Sequence, residues 1–220
     1  MQSIIEIDEL IKILTPEYGS FEWKPRYDPA SELVYTILSQ HTSDINSERA
    51  FDNLITHFES IEAISNADIL EIQQCIKTAG LHKIKAERIK KVLNIIDARI
   101  GGFDLSFLAE MPLEIAKSWL KSLPGIGPKT AAIVLCFSFG MPAMPVDTHI
   151  YRVSRRLGLI DSKASADKAH DLMEKIVDPD KIFPFHMYLI KHGRKVCKAL
   201  KPRCNECVVA SMCPSRLKLS

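Results

Sequence analysis

The sequence lacks an uninterrupted apolar run long enough to cross a membrane. Its longest apolar stretch, residues 131–146, is broken by Ser138, Gly140, Pro142 and Pro145, so it is not expected to form a spanning helix. The N-terminus lacks the basic start and the small-residue cleavage site of a secretory signal peptide. We therefore expect a cytoplasmic protein that has no membrane partner and in which disulfide bonds are disfavoured.

Strand-like alternation of apolar and polar residues is also absent, and no repeat of solenoid length occurs. Apolar residues recur at helical spacing, which predicts an all-α fold with about ten helices. The pattern predicts a first helix that includes Ile4 and ends before Pro16. It also predicts that Asp44 caps the third helix and that Asn66 caps a short helix running to Ile76.

Basic residues are concentrated near the C-terminus. Residues 181–220 contain nine Lys or Arg and one acidic residue, Glu206, whereas the preceding residues contain 20 basic and 26 acidic residues. The chain as a whole carries a formal net charge of only +2. A local excess of this size indicates either a surface for a polyanion such as nucleic acid or a solvated basic tail.

The string Leu123-Pro-Gly-Ile-Gly-Pro-Lys-Thr130 lies between two helical segments. Gly125 and Gly127 allow a tight turn whose amides face outward, and the following helix adds its positive end. This pattern favours a helix-hairpin-helix that holds a DNA phosphate. The alternative is a tight turn that only connects two packed helices.

Two residues downstream of the turn can carry chemistry. Lys129 falls in the first helical turn, where it is a phosphate contact, a nucleophilic amine or an ordinary surface lysine. Asp147 is a helix N-cap by pattern, and a cap can also serve as a catalytic carboxylate. A helix of residues 129–139 spans roughly 16 Å, and residues 140–146 can return roughly 23 Å. These lengths therefore permit Asp147 to lie beside Lys129.

Four of the six cysteines lie within seventeen residues, at Cys197, Cys204, Cys207 and Cys213. This clustering indicates a metal site. Structural zinc sites usually use two short Cys pairs, and only one pair is short here, so the 6-2-5 spacing favours an iron–sulfur cluster over zinc and over disulfides. The other two cysteines are predicted to be inert core thiols, Cys75 and Cys136.

These features together resemble the endonuclease III family of helix-hairpin-helix glycosylases over most of the chain. Two further segments match family elements besides the hairpin and the cysteines, and so do two motifs nearer the C-terminus. The four stretches are Ile37-Leu-Ser-Gln-His-Thr-Ser-Asp44, Ile76-Lys-Thr-Ala-Gly-Leu81, Val146-Asp-Thr-His-Ile-Tyr-Arg-Val153 and His192-Gly-Arg194.

The resemblance implies two all-α lobes with DNA bound in the cleft between them. A six-helix barrel lobe would comprise residues 23–139, and a lobe holding a [4Fe–4S] cluster would comprise residues 1–22 and 140–220. The family's catalytic lysine falls on Lys129 and its catalytic aspartate on Asp147. Leu81 takes the position of a wedge that fills the base stack when a nucleotide is flipped out.

The implied activity is that of a bifunctional DNA glycosylase and AP lyase. We expect a monomer that acts on double-stranded DNA containing damaged bases or abasic sites, removes oxidised pyrimidines and cuts the strand by β-elimination. The cluster is expected to be structural and to position four basic residues near phosphates. These are Lys191, Arg194, Lys195 and Lys198.

The chain departs from the family pattern near the base pocket. Gln40 stands where alanine is usual and His41 where glutamine is usual, and Gln40-His41-Thr42 is closer to the adenine-mismatch branch. Pro128 replaces a usual arginine. Two alternatives remain at this point: a monofunctional mismatch glycosylase for uracil, thymine or adenine, and a non-catalytic DNA-binding module stapled by metal.

Overall fold

The computed structural model describes residues 6–161 and 163–216. Over these residues the structure contains eleven α-helices and four short 3₁₀ helices, and none of the described residues lies in a strand. The predicted all-α fold is therefore confirmed. None of the described helices is long and apolar enough to span a membrane.

The α-helices follow one another with short connections. In chain order they are α1 (Ile7–Tyr18), α2 (Pro29–Ser39), α3 (Asp44–Phe58), α4 (Ile61–Asn66), α5 (Ile69–Cys75), α6 (His82–Ile100), α7 (Leu113–Lys121), α8 (Pro128–Phe139), α9 (Thr148–Leu157), α10 (Ala166–Ile176) and α11 (Ile182–Lys195). The 3₁₀ helices are Lys77–Ala79, Ser106–Glu110, Pro179–Lys181 and Cys204–Glu206.

The chain divides into two compact units. One unit comprises residues 25–139 and contains α2 to α8, and the other combines the residues up to Lys24 with those from Gly140 onward. In the first unit α2 is the central helix, because it is buried on all sides and packs against α3, α6 and α8. In the second unit α11 packs against both α1 and α9. The functions assigned to the two lobes above stay predictions.

The prediction that the first helix ends before Pro16 is wrong. Helix α1 continues through Pro16 to Tyr18 and ends at Gly19, which has a φ of +80°. Buried contacts with α11 hold this last turn, since the Tyr18 hydroxyl lies 2.9 Å from His192 Nδ1 and the Thr15 hydroxyl lies 2.8 Å from the Tyr188 hydroxyl. Tertiary packing therefore outweighs the local cost of proline near a helix end. The predicted start of this helix at Ile4 lies outside the described residues.

Two predicted helix caps are also wrong. Ser43, not Asp44, caps α3, and its hydroxyl accepts a hydrogen bond from the Asn46 backbone N–H at 3.4 Å. Asn66 is the last residue of α4, and α5 is capped instead by Asp68, whose carboxylate accepts from the Leu70 N–H at 2.7 Å. In both cases another good capping residue lies within two positions, so local preference alone does not settle the choice.

Candidate active site and metal centre

The predicted hairpin is present between α7 and α8. Leu123 and Ile126 are 2% and 5% exposed and anchor the turn in the core of its unit. Gly125 and Gly127 are exposed, and Gly125 has a φ of +76°, a conformation that favours glycine. The turn therefore presents backbone to solvent immediately before a helix N-terminus, which suits a phosphate contact. That contact stays a prediction.

Lys129 lies in the first turn of α8, directly after Pro128. Proline is well suited to this first helical position because its fixed φ is already helical. The Lys129 side chain is exposed and, within the described residues, makes no hydrogen bond or ion pair. No acidic residue lies in the first turn of α8. The amine is thus free to reach a ligand outside the protein.

Asp147 is the N-cap of α9, as predicted. Its Oδ1 accepts a hydrogen bond from the Ile150 backbone N–H at 2.7 Å. The other carboxylate oxygen has no hydrogen-bond partner in the part of the chain that the structure describes. The cap therefore fixes the carboxylate while leaving one oxygen available, so the two roles considered for Asp147 are compatible.

Three side chains hold the segment that leads into Asp147, and no sequence motif marks any of them. The Met144 N–H donates to Glu174 at 2.8 Å. His186 Nδ1 lies 3.0 Å from the Pro145 carbonyl oxygen, and His170 Nδ1 lies 2.8 Å from the Met144 carbonyl oxygen. Both histidines are buried. Their hydrogen bonds give partners to backbone polar groups of this irregular buried segment. The segment is thereby held in place, which orients the start of α9.

The four predicted metal ligands line one cavity in the unit that contains α9 and α11, together with residues that include Arg156 and His192. Burial raises the pKa of Cys207 and Cys213, and the nearby thiols raise both further. Burial and mutual repulsion disfavour the thiolate forms of Cys207 and Cys213, so a bound cationic centre would be needed to keep them ionised. A soft, all-sulfur donor set fits an iron–sulfur cluster or zinc.

In the described ranges no three His, Cys, Asp or Glu side chains are placed as the ligands of one metal ion, so the structure brings the four cysteines to one cavity without showing a formed ligand set. Of the remaining cysteines, Cys136 is fully buried as predicted, whereas Cys75 is only partly buried. Cys75 is the last residue of α5, and Ile72 takes the core position of that helix.

Two arginines that were not predicted brace the cysteine segment against α9. Arg152 donates to the carbonyl oxygens of Gly193 and Cys197, both at 2.9 Å. Arg156 donates to the Lys198 carbonyl at 2.7 Å, and its guanidinium lies 3.4 Å from Cys197 Sγ. Arg152 and Arg156 are four residues apart on α9, the helix that Asp147 caps. This spacing indicates from the sequence alone that both side chains lie on the same face of the helix.

The basic residues predicted to contact phosphates differ in whether their side chains already contact other residues of the protein. Lys191 Nζ lies 4.3 Å from the centre of the Phe21 ring, and Lys195 Nζ lies 5.7 Å from that of Tyr18. Lys198 is exposed beside the cysteine segment. Lys198 is therefore the simplest test of a phosphate contact from this surface.

We expect Lys198→Ala to weaken DNA binding about equally on damaged and undamaged duplexes. Removal of one phosphate contact should lower the slope of log K against log salt by about 0.9. Lys168→Ala is the matched control, because Lys168 is an exposed lysine of α10 outside the basic segment. Equal salt slopes in wild type and Lys198→Ala would place the DNA elsewhere.

The residues predicted to contact the base lie on two strained turns. Gln40 follows the last residue of α2, and His41 has a φ of +55°. Leu81 precedes α6 with a φ of +48°, and its side chain is 55% exposed. A bulky residue in left-handed conformation with an exposed apolar side chain is unusual and is typical of functional sites. The wedge and base-contact roles stay predictions.

Comparisons with known proteins identify the family of the chain. Residues 34–179 match the model of the HhH-GPD superfamily of base excision DNA repair proteins. The chain is 33% identical to Endonuclease III of Thermotoga maritima over 186 residues, which cover 84% of this chain and 83% of that protein. It is 36% identical to Endonuclease III of Synechocystis over 209 residues, covering 94% and 91%.

Among solved structures, a trapped covalent intermediate of Endonuclease III with DNA superposes with a TM-score of 0.82 at 27% identity, over 96% of each chain. These relatives match the chain over most of its length and over most of their own. The chain therefore belongs to the helix-hairpin-helix superfamily of base excision DNA repair proteins and, within it, to the endonuclease III family.

Proposed function

We propose that Lys129 is the nucleophile and Asp147 the supporting carboxylate of a bifunctional repair reaction. The chain is a base-excision-repair DNA glycosylase and AP lyase that acts on double-stranded DNA. Because its substrate is genomic DNA, we place it with the nucleoid in the cytoplasm. The observation that carries the residue assignment is the free Lys129 amine in the first turn of α8, behind an exposed hairpin.

The target nucleotide must leave the base stack before its sugar can react. The neutral Lys129 amine attacks C1′, a C–N bond forms, and the glycosidic bond breaks with its electron pair leaving on the base. Asp147 stabilises positive charge on the sugar and assists proton transfer. A related Endonuclease III has been captured as a covalent DNA intermediate, which supports a covalent route.

The second half of the reaction cuts the strand. Opening of the sugar ring converts the adduct to an imine between Lys129 and C1′, and O4′ gains a proton. The imine makes the C2′ proton acidic, its loss forms a double bond, and the bond from C3′ to the phosphate oxygen breaks. Hydrolysis of the imine then returns the Lys129 amine. No external oxidant or reductant is required.

We propose oxidised pyrimidines as the preferred substrates. The test is single-turnover base excision on four matched duplexes. One contains an oxidised pyrimidine, and the others contain uracil opposite guanine, thymine opposite guanine, and adenine opposite 8-oxoguanine. Fastest release of the oxidised pyrimidine, with strand cleavage keeping pace, is expected. Faster release of a mismatched base without strand cleavage would support a monofunctional mismatch glycosylase instead, an alternative favoured by Gln40 and His41.

We further propose that Cys197, Cys204, Cys207 and Cys213 hold a [4Fe–4S] cluster. The support is their common cavity, their all-sulfur donor set and their unequal spacing. When bound, the cluster ties the last described residues of the chain to α9 and α11. Arg152 and Arg156 already hold the cysteine segment against α9, and the cluster would add to this structural connection.

We expect about four irons per chain in anaerobically purified protein. Cys207→Ser should lower the iron content and destabilise the unit that contains α9 to α11, because ligation and folding are coupled. Cys75→Ser is the matched control, since Cys75 is a partly buried thiol of α5 away from the cavity. Iron analysis and thermal melts provide the readouts. Stoichiometric zinc in protein made with ample iron would contradict a four-iron cluster.

A further inference from the structure

One face of α6 connects three loops of the unit formed by residues 25–139. Lys85 and Arg88 lie one helical turn apart on this face. Lys85 is 2% exposed, and its ammonium donates to the carbonyl oxygens of Leu38 and Ala79, both at 2.7 Å. These carbonyls lie just before the two strained turns, so Lys85 links the turn after α2 to the turn that presents Leu81.

Arg88 extends the connection to the hairpin. Its guanidinium donates through Nη1 to the side-chain oxygen of Gln40. The same side chain lies against Gly125, where a Cβ atom would come within 2.7 Å of Arg88 Cδ and 2.8 Å of Arg88 Cζ. Glycine at this position therefore allows the guanidinium to lie against the hairpin. Nothing in the sequence marks Arg88 for this contact.

The contact fixes the orientation of the Gln40 amide. A guanidinium has five donors and no acceptor, so the amide atom that faces Arg88 must be the oxygen. The amide nitrogen consequently points away from Arg88, and it lies 3.4 Å from the Thr130 hydroxyl. One N–H of that amide is used by Thr130. The second N–H remains as a donor, while the Gln40 oxygen is held toward Arg88 and away from that N–H.

We propose that Arg88 is a specificity-determining residue that acts through Gln40, because it holds the amide oxygen on its own side and leaves an amide N–H to face the base. Gln40 then favours a base whose facing edge carries a carbonyl acceptor and disfavours one that carries an exocyclic amine. This inference rests on the proposed function and on the predicted position of Gln40 beside the damaged base. It names the substrate class more closely: oxidised pyrimidines of the uracil type rather than the cytosine type.

The test uses a pair of lesions that differ at a single group. 5-Hydroxyuracil and 5-hydroxycytosine carry a carbonyl and an amine, respectively, at C4. We expect the wild-type protein to excise 5-hydroxyuracil roughly tenfold faster than 5-hydroxycytosine. The Gln40 N–H can donate to the carbonyl of the first lesion, whereas in the second it faces another donor, the amine. In Arg88→Met the amide can rotate, so the ratio should fall to within about twofold of unity.

Two further variants separate a specific role from general damage. Arg88→Lys keeps a donor for the Gln40 oxygen and should retain most of the preference. Gln40→Ala should lose the preference, and Arg88→Met added to Gln40→Ala should cause no further change in the ratio, because Arg88 acts through Gln40. Thermal melts check that each variant is folded. These comparisons do not depend on the absolute rate of any one variant.

The outcomes distinguish this inference from the function on which it rests. Failure of the wild-type protein to excise either lesion would contradict the proposed function itself, and the inference with it. Excision of both lesions with the same ratio in wild type and Arg88→Met would overturn only the role of Arg88. A further loss of preference on adding Arg88→Met to Gln40→Ala would also overturn it, because Arg88 would then act by another route.

Discussion

Lys129→Gln is expected to abolish strand cleavage, with a loss on the order of 10³-fold or more in single-turnover rate. Removal of a covalent nucleophile eliminates the reaction path, and effects of this size or larger accompany such losses in other enzymes. Glutamine retains a polar side chain of similar length but has no nucleophilic amine. Because Lys129 is exposed and unpaired within the described residues, the variant should fold normally.

The control for charge is Lys121→Gln, since Lys121 is an exposed lysine at the end of α7, close to the hairpin in sequence. It removes one positive charge and should leave cleavage intact. Binding of an abasic duplex should be similar in both variants, because one phosphate contact among several is a small loss. Cleavage by Lys129→Gln at the wild-type rate would show that Lys129 is only a surface or phosphate-binding residue.

Asp147→Asn is expected to reduce base excision by about 10²–10⁴-fold while leaving the protein stable. Asparagine caps helices about as well as aspartate, so the hydrogen bond from the Ile150 N–H to Oδ1 should persist. Thermal stability should change by only a few tenths of a kcal/mol. Single-turnover excision and a thermal melt on the same preparation separate catalysis from capping.

A second cap provides the matched control. Ser165 caps α10, and its hydroxyl accepts from the Lys168 N–H at 3.3 Å. Ser165→Ala should lose about 1 kcal/mol of stability without loss of excision, whereas Asp147→Ala should lose both. Base excision by Asp147→Asn at the wild-type rate would show that Asp147 serves only as a helix cap.

Local features of the sequence predicted much of the fold. The hairpin glycines form the turn before α8, and Asp147 caps α9, because such signals act within one helical turn. The Pro16 prediction failed because contacts from residues about 170 positions away hold the end of α1. Choices between neighbouring capping residues, such as Ser43 and Asp44, depend on packing that local preference does not contain.

The candidate site was predictable where chemistry depends on residue type and spacing. The hairpin glycines, Lys129, Asp147 and the four cysteines all belong to short motifs. The supporting residues were not predictable, because their contacts join distant parts of the chain. His170 reaches the segment before Asp147, and Arg88 reaches Gln40 across 48 positions. A single sequence carries no signal for such pairs.

The central claim is that the reaction passes through an imine on Lys129, and borohydride trapping tests it most directly. The wild-type protein should be reduced onto an abasic duplex, digested, and the modified peptide identified by mass spectrometry. We predict one DNA adduct, on the peptide that contains Lys129. An adduct on any other amine, or base excision that proceeds with no adduct at all, would contradict the assignment.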